Sequence, residues 1–286
     1  MNLAAFVEDF IRDFLDDPAN NNMGPGTTEK AWADFLVGFS SGADPLYQEM
    51  KEHIGPFHWS PHEAFANGLD VPEAGAEDLT VISWALCHTA ESKAANHSQT
   101  LYPSERWARA RIFGQACSRA LHLALADALA AAGHPAVVPS LLKQFCEPES
   151  EKYGLASSWS ERHVAYISGL GTFGLSGGLI TAKGQAVRFG SMIVQVKIPA
   201  TPRPYDNPFA YCLFYAKGTC GSCADRCPVA SVTREGRDKK PCQHHLQPVT
   251  AEYVRKEYGF EGYGCGLCQT GVPCESEIPK QLRTPS

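Results

Sequence analysis

The hydrophobic positions of this chain change rhythm several times, and each change predicts an element. Phe6, Val7, Phe10, Ile11 and Phe14 recur at helical spacing, with Glu8, Asp9 and Asp13 on the other side. That pattern predicts an amphipathic first helix. DDPANNNMGPGTTEK (16–30) is polar and rich in turn residues, so it reads as a loop. Residues 30–75 read as mostly helical and irregular, with breaks at Pro45, Pro56, Pro61 and Pro72. LTVISWALCH (79–88) is apolar and β-branched, the signature of a buried strand. From 104 to 133, Ser104 can cap a helix, alanine and leucine fill it, and Gly133 can end it.

HPAVVPS (134–140) then reads as a short strand, and 158–168 as another helix. LITAKGQAVRFGSMIVQVKIPA (179–200) reads as two strands folded into a hairpin around Lys183-Gly184. TPRPYDNP (201–208) is a proline-rich linker. Strands mixed with helices and a hairpin predict an α+β core. The divisions that follow are a mostly helical region at 1–75, an α+β core at 76–205 and a cysteine-rich module at 206–286.

Composition narrows the classes. The 286 residues are 44% hydrophobic and 20% charged, an ordinary globular balance. No apolar run approaches the ~18–20 residues of a membrane helix. The first residues lack a basic stretch before an apolar one, and no twin-arginine pair occurs, so the expected location is the cytoplasm. A net charge of −6 gives no general attraction to nucleic acid or anionic lipid.

The cysteines change the picture more. Of eleven, Cys87, Cys117 and Cys146 lie in apolar stretches and read as small buried hydrophobes. The other eight, Cys212, Cys220, Cys223, Cys227, Cys242, Cys265, Cys268 and Cys274, crowd into the last part of the chain. In a cytosolic protein that crowding points to metal rather than disulfides. Cys220, Cys223, Cys227 and Pro228 match the last three cysteines and the proline of the ferredoxin run C-x₂-C-x₂-C-x₃-C-P, while Lys217 stands in its first slot. Eight thiolates suffice for two [4Fe–4S] clusters, and Cys212 can supply the missing corner across a flexible loop. A single Cys₄ zinc site would leave four cysteines and the Cys-Pro pair without a role. Haem attachment is excluded, because Ala224 and Gln269, not histidine, follow the two C-x₂-C pairs. A thioredoxin-like role for either pair fits poorly with a cysteine-rich tail. His244 and His245 follow Cys242 and read as exposed, with tuning of a cluster as the other role. REGRDKK (234–240) reads as a solvated basic loop that also offsets thiolate charge, with a nucleic-acid contact as the rival.

Gly169, Gly171 and Gly174 match G-x-G-x-x-G, but a helix precedes them, Gly177-Gly178 follow, and no Asp or Glu occurs from Thr172 to Tyr205. A dinucleotide site needs the opposite context. The glycines are instead assigned to a tight turn or to close approach of a ligand or a strand.

In order, HVAYISGLGTFGLSGGLIT, a strand pair, a linker, GTCGSCADRCPVAS, the isolated Cys242 and CGLCQ resemble epoxyqueuosine reductases and the related reductive dehalogenases. The resemblance covers about 160–274 and is faint over 79–140. It implies a nitroreductase-like α+β core that binds cobalamin, followed by a ferredoxin-like module with two [4Fe–4S] clusters that deliver electrons to cobalt. It also implies that Cys212, Cys220, Cys223 and Cys274 hold one cluster, and that Cys227, Cys242, Cys265 and Cys268 hold the other. Gly169, Gly171, Gly174 and Gly177 would then line the corrinoid site, and Tyr153 or Tyr166 with Arg162 would form the proton-donating group.

Several features depart from that pattern. Cys212 lies further upstream than usual, and Cys274 follows Cys268 after an enlarged gap, without a proline. YGLASSW (153–159) lacks the acid that serves as proton donor in epoxyqueuosine reductases. The sequence carries no helical-repeat extension after the last cysteines, which sets the expectation against tRNA as a partner. A small-molecule substrate or a redox partner protein remains as the expected partner. Three readings stay open: a two-cluster reductase, an electron-transfer protein without catalysis, and a zinc-stabilised interaction protein.

Overall fold

The computed structural model describes residues 2–69 and 74–283. The break expected at Pro72 lies outside them. Helix α1 (Leu3–Asp16) forms where the apolar spacing requires it, with the Asn2 side chain accepting from the Ala5 amide at its start. It buries Val7, Ile11 and Leu15, while Phe6, Phe10 and Phe14 pack partly against the core.

The next element corrects the mostly helical reading of 30–75. β1 (Trp32–Ser41) is a ten-residue strand. Its β signal is muted by Gly38, which lies so close to the turn after residue 167 that a Cβ there would sit 2.2 Å from the Ser168 carbonyl. Helices α2 (Leu46–Ile54) and α3 (Pro61–Gly68) follow, the latter opened by a capping box between Ser60 and Glu63.

β2 (Thr80–His88), α5 (Glu105–Ala131) and β3 (Ala136–Val137) fall where the apolar pattern put strand and helix, and α4 (Ala90–His97), which that pattern did not predict, lies between β2 and α5. Ser104 caps α5 through the Trp107 amide, and Gly133 takes the left-handed conformation just beyond its end. The short strands β4 (Glu149–Ser150) and β5 (Gly154–Leu155) form a small ribbon before α6 (Glu161–Ile167).

β6 (Gly171–Phe173), β7 (Leu179–Thr181) and β8 (Val187–Val194) follow. The expected hairpin of 179–200 is only half right. The chain does turn at Lys183-Gly184, with Thr181 and Gly184 exchanging backbone hydrogen bonds. The two strands then enter different sheets: β7 pairs with β6, whereas β8 pairs with β2 and β3.

The main sheet is antiparallel, in the order β1-β2-β8-β3. Side chains alternate between its faces. Ile82, Trp84, Leu86, Met192 and Val194 join α1 and α5 on one side, while Val81 and Ile193 join α2, α3 and α6 on the other. With helices on both faces, β2 is buried along its whole length, which explains its unbroken apolar run. Gly190 is required beside Trp84, because a Cβ there would sit 2.7 Å from the indole. The core is mixed α and β, as the pattern predicts, and the sheet draws β1 from before residue 76.

Beyond 206 the elements are short: α7 (Leu213–Lys217), α8 (Ser222–Asp225) and α9 (Lys239–His244). The helical path continues from α9 to Tyr258 through two wider π-turns, His245–Val249 and Val254–Tyr258. Pro248 sits in the first, where it has no amide to give to a regular helix. Among the described residues no helix is long and apolar enough to cross a membrane.

Candidate metal centres

The eight clustered cysteines fall into two groups of four. Cys212, Cys220, Cys223 and Cys274 line a partly open void, with Leu175, Phe214 and Gln185 among its other walls. Cys227, Cys242, Cys265 and Cys268 line a second void, with Val232, Arg237 and His245. These are the two sets that the family resemblance implies.

Local backbone geometry explains how each cysteine gets there. Cys212 occupies the residue before α7, and Cys223 lies in α8. Between them the chain reverses through Gly218, Cys220 and Gly221, all at positive φ. Cys220 is not a glycine, yet it adopts φ 72°, a conformation that costs a β-carbon-bearing residue on the order of 1–2 kcal/mol. In the second group Cys242 lies in α9, and Cys265 and Cys268 flank a turn that needs Gly266 at φ 67°. A Cβ on Gly266 would fall 2.0 Å from the Trp107 ring, so the indole of α5 sets the shape of this loop.

The thiols behave as crowded, enclosed groups. Burial, then the neighbouring thiols, push Cys223 and Cys265 up to about 12 and Cys268 to about 11. Burial also raises Cys274. Cys220, the exposed member, goes the other way: burial opposes ionisation, but the Ser222 hydroxyl and the amides of Ser222 and Gly221 together outweigh it. Cys223 is perturbed by Cys268 of the other group, so the two quartets are neighbours. Gln185 spans them: its Nε2 donates to the Cys274 sulfur at 3.2 Å and to the Cys268 carbonyl at 3.1 Å.

The core holds the second group in place. The buried Asn96 side chain donates to the Cys265 carbonyl and to Thr270 Oγ1, and accepts from the Ser104 amide. Arg226 donates to the carbonyls of Leu267, Asn96 and Gln99. Arg237 is turned inward, not solvated as the basic run suggested, because its guanidinium finds the Ser176 carbonyl at 2.8 Å and the Cys242 sulfur at 3.7 Å. His245 is likewise buried, contrary to the exposed reading, with Nε2 against the Leu101 carbonyl. Cys87 and Cys117 are buried as expected, but Cys146 is exposed, since it sits in the extended segment outside the sheet. Sequence reasoning passed over Gln185, Asn96 and Trp107, which carry no motif. Arg237 at least stood in a charge run beside a cysteine.

The expected catalytic trio does not come together. The Tyr153 hydroxyl bonds His53 near the surface. Tyr166 is buried and stacks on Tyr205 at 5.4 Å. Arg162 instead donates to the Gly177 carbonyl at 2.6 Å. Its neighbours on α6 are unusual. Glu161 accepts from Ser191 Oγ at 2.6 Å, and burial raises its carboxyl to about 7. His163 holds Ser160 Oγ at 2.7 Å, and burial depresses its basicity, as it does for His58, whose two ring nitrogens lack partners.

The glycine turn is filled by the chain itself. A Cβ on Gly171 would fall 2.2 Å from the Ile180 carbonyl, one on Gly169 3.0 Å from that of Pro202, and one on Gly177 2.9 Å from the Arg237 guanidinium. Gly174 faces Ile180 at 3.3 Å. These glycines serve β6–β7 pairing and the arginine, and the turn offers no cradle that fits a corrinoid.

No protein-family model matches the sequence, and no curated protein matches it. Solved structures do. An epoxyqueuosine reductase from Streptococcus thermophilus aligns with TM-score 0.50 and 16% identity, over 99% of this chain and 69% of that one. A catabolic reductive dehalogenase in complex with 3-bromo-4-hydroxybenzoic acid aligns with TM-score 0.52 and 11% identity, over 98% of this chain and 38% of that one. The chain therefore has the fold that these proteins share. An epoxyqueuosine reductase solved with a tRNA stem loop, at TM-score 0.46 and 16% identity over 97% of this chain and 68% of that one, is also similar. The expectation set against tRNA has no support in these comparisons.

Proposed function

We propose that this protein is an iron–sulfur oxidoreductase that holds two [4Fe–4S] clusters, one in each cysteine quartet of a ferredoxin-like module. The observation that carries this reading is the sorting of eight cysteines, and no others, around two adjacent voids. A tetrahedral zinc with Zn–S bonds of about 2.3 Å would draw four sulfurs to within about 3.8 Å of one another. Among the described residues no group of three or more His, Cys, Asp or Glu is gathered to hold a single ion. Four thiols set around one void suit an inorganic core with four corners. Bound there, each cluster supplies a one-electron carrier, and coordination would deprotonate thiols that burial otherwise keeps protonated.

The chain's own residues prepare that chemistry. Asn96 and Trp107 fix the Cys265–Cys268 loop, Gln185 keeps the two quartets in register, and Arg162 and Arg237 offset negative charge. The core beyond them is read as the electron-accepting end, with Glu161 as a carboxyl that holds its proton near neutral pH. Its likeness to nitroreductases, the division into core and module, a small-molecule acceptor and a redox partner protein belong to this proposal. No step is assigned to a corrinoid, since the glycine turn does not fit one. That filled turn favours electron transfer without a corrinoid at this position over the cobalamin-dependent reading.

Anaerobically purified or reconstituted protein should contain about eight iron and eight sulfide per chain, as two four-iron clusters require. Zinc with negligible sulfide would overturn the proposal.

A further inference from the structure

The two quartets sit in unequal electrostatic surroundings. Beside Cys227, Cys242, Cys265 and Cys268 stand two guanidinium groups: Arg237 lines the void and reaches the Cys242 sulfur at 3.7 Å, and Arg162 is anchored behind it by the Gly177 carbonyl. Both bond backbone carbonyls of one turn, Ser176 and Gly177, which holds two like charges side by side. Around Cys212, Cys220, Cys223 and Cys274 the walls are mainly apolar, and the polar contacts are uncharged: the Gln185 amide at the Cys274 sulfur, and the Ser222 hydroxyl with the amides of Ser222 and Gly221 at Cys220. Arg234, a cation beside that quartet, lies against Gly221 but is exposed and paired with Asp225 at 3.2 Å.

Reduction adds one negative charge to a four-iron centre. Enclosed cations stabilise that charge and raise the potential, as do hydrogen bonds to sulfur and exposure to water. Exposed Cys220 gives the first quartet some help from water, and Ser222, Gly221 and Gln185 add uncharged hydrogen bonds to its sulfurs. Two enclosed guanidiniums act at short range with little screening, so they outweigh these contributions.

We propose that the quartet facing Arg162 and Arg237 forms the higher-potential centre and the terminal acceptor of the module, fed by the quartet that reaches the surface at Cys220. The inference rests on the two-cluster reading above. One electron, supplied by a low-potential one-electron donor, reduces the Cys220 side. It then passes inward, so that the outer centre is reoxidised as the inner one is reduced, and no bond or proton is exchanged.

The test is a redox titration of the anaerobically loaded full chain, followed by electron-spin resonance, after iron and sulfide have been measured. Zinc without sulfide at that first stage defeats the two-cluster reading itself. In loaded protein, two one-electron steps are expected, and Cys242→Ser should remove the upper one. Arg237→Gln and Arg162→Gln should each lower the upper step and leave the lower one in place. The expected size is at least tenfold in the equilibrium between the two centres, about 59 mV for one electron. Arg237→Lys, which keeps the charge, should retain most of the difference and separates a charge effect from a damaged fold. Unchanged potentials in both glutamine variants, or a shift confined to the lower step, would overturn the ordering while leaving the two clusters intact.

Discussion

Strand β2 has all nine of its residues buried, between two partner strands and two helix layers. From 206 to 283, by contrast, the described chain encloses few apolar side chains, and the small cluster around Cys212 and Val232 is made largely of cysteines and of residues lent by the core, Leu175 and Ile180. The first region is held by burial and by ladder hydrogen bonds. The second has short helices, wide turns and two voids where a core would be. The difference teaches that iron would serve this module as its missing interior, whereas the sheet needs none.

Removal of iron is the strongest way to break that comparison. Chelation under anaerobic conditions should abolish amide-exchange protection across Cys212–Cys274 and leave β2 and α5 protected. Equal loss in both regions would mean that the core depends on the clusters too.

Two glycine variants sharpen it next. Gly266→Ala drives a methyl group into Trp107 at a left-handed position, at a cost of roughly 2–5 kcal/mol to that loop. It should cost roughly half the iron, one cluster of two, with little change in core unfolding. Gly190→Ala collides with Trp84 and His122 inside the sheet. It should lower the stability of the core by about 1–3 kcal/mol, and protein that remains folded should load iron normally. Iron assays and denaturant curves on both variants decide this.

A smaller effect concerns pH. The Glu161 carboxyl is raised from 4.5 to about 7 by burial, so the folded state favours its protonated form. Its contribution is therefore fully present below pH 4.5 and is lost as pH rises through about 7, with a total on the order of 3 kcal/mol. Glu161→Gln should flatten the stability profile of the core across that window, and thermal melts at several pH values will show it. A profile as steep as wild type would assign the slope to other groups.

The smallest effect is expected at the join. Asn96→Ala removes one acceptor and two donated bonds, a loss of about 1–3 kcal/mol. Exchange rates at Cys265–Thr270 should rise while those of β8 stay unchanged.

What was legible in the sequence follows the same division. α1, β2 and α5 announce themselves, because each must bury a stripe or a face and the period shows it. β1 was hidden, since Gly38 and Asp34 break the apolar alternation for reasons that lie in other segments, the Ser168 carbonyl and Lys183. The crowding of eight cysteines was readable because ligating chemistry is local and spaced, whereas their division into two sets came from the family resemblance. Gln185, Asn96 and Trp107 were not, because an amide or an indole acquires its role only when distant loops meet it. The glycine turn left two readings open for the converse reason. A run of glycines records close approach but not what approaches, and here it is the neighbouring strand.

Asn96, Trp107 and Gln185 all precede the first cysteine of the module in the chain. A ribosome therefore finishes the mould before it makes the part to be cast. The same order gives the protein a route to repair. If oxygen strips the iron, the docking surface survives, and the tail can be refilled without starting again. Brief aeration followed by iron, sulfide and reductant should restore the cluster spectrum without any denaturation step, and a requirement for unfolding would show that the mould is lost with the metal.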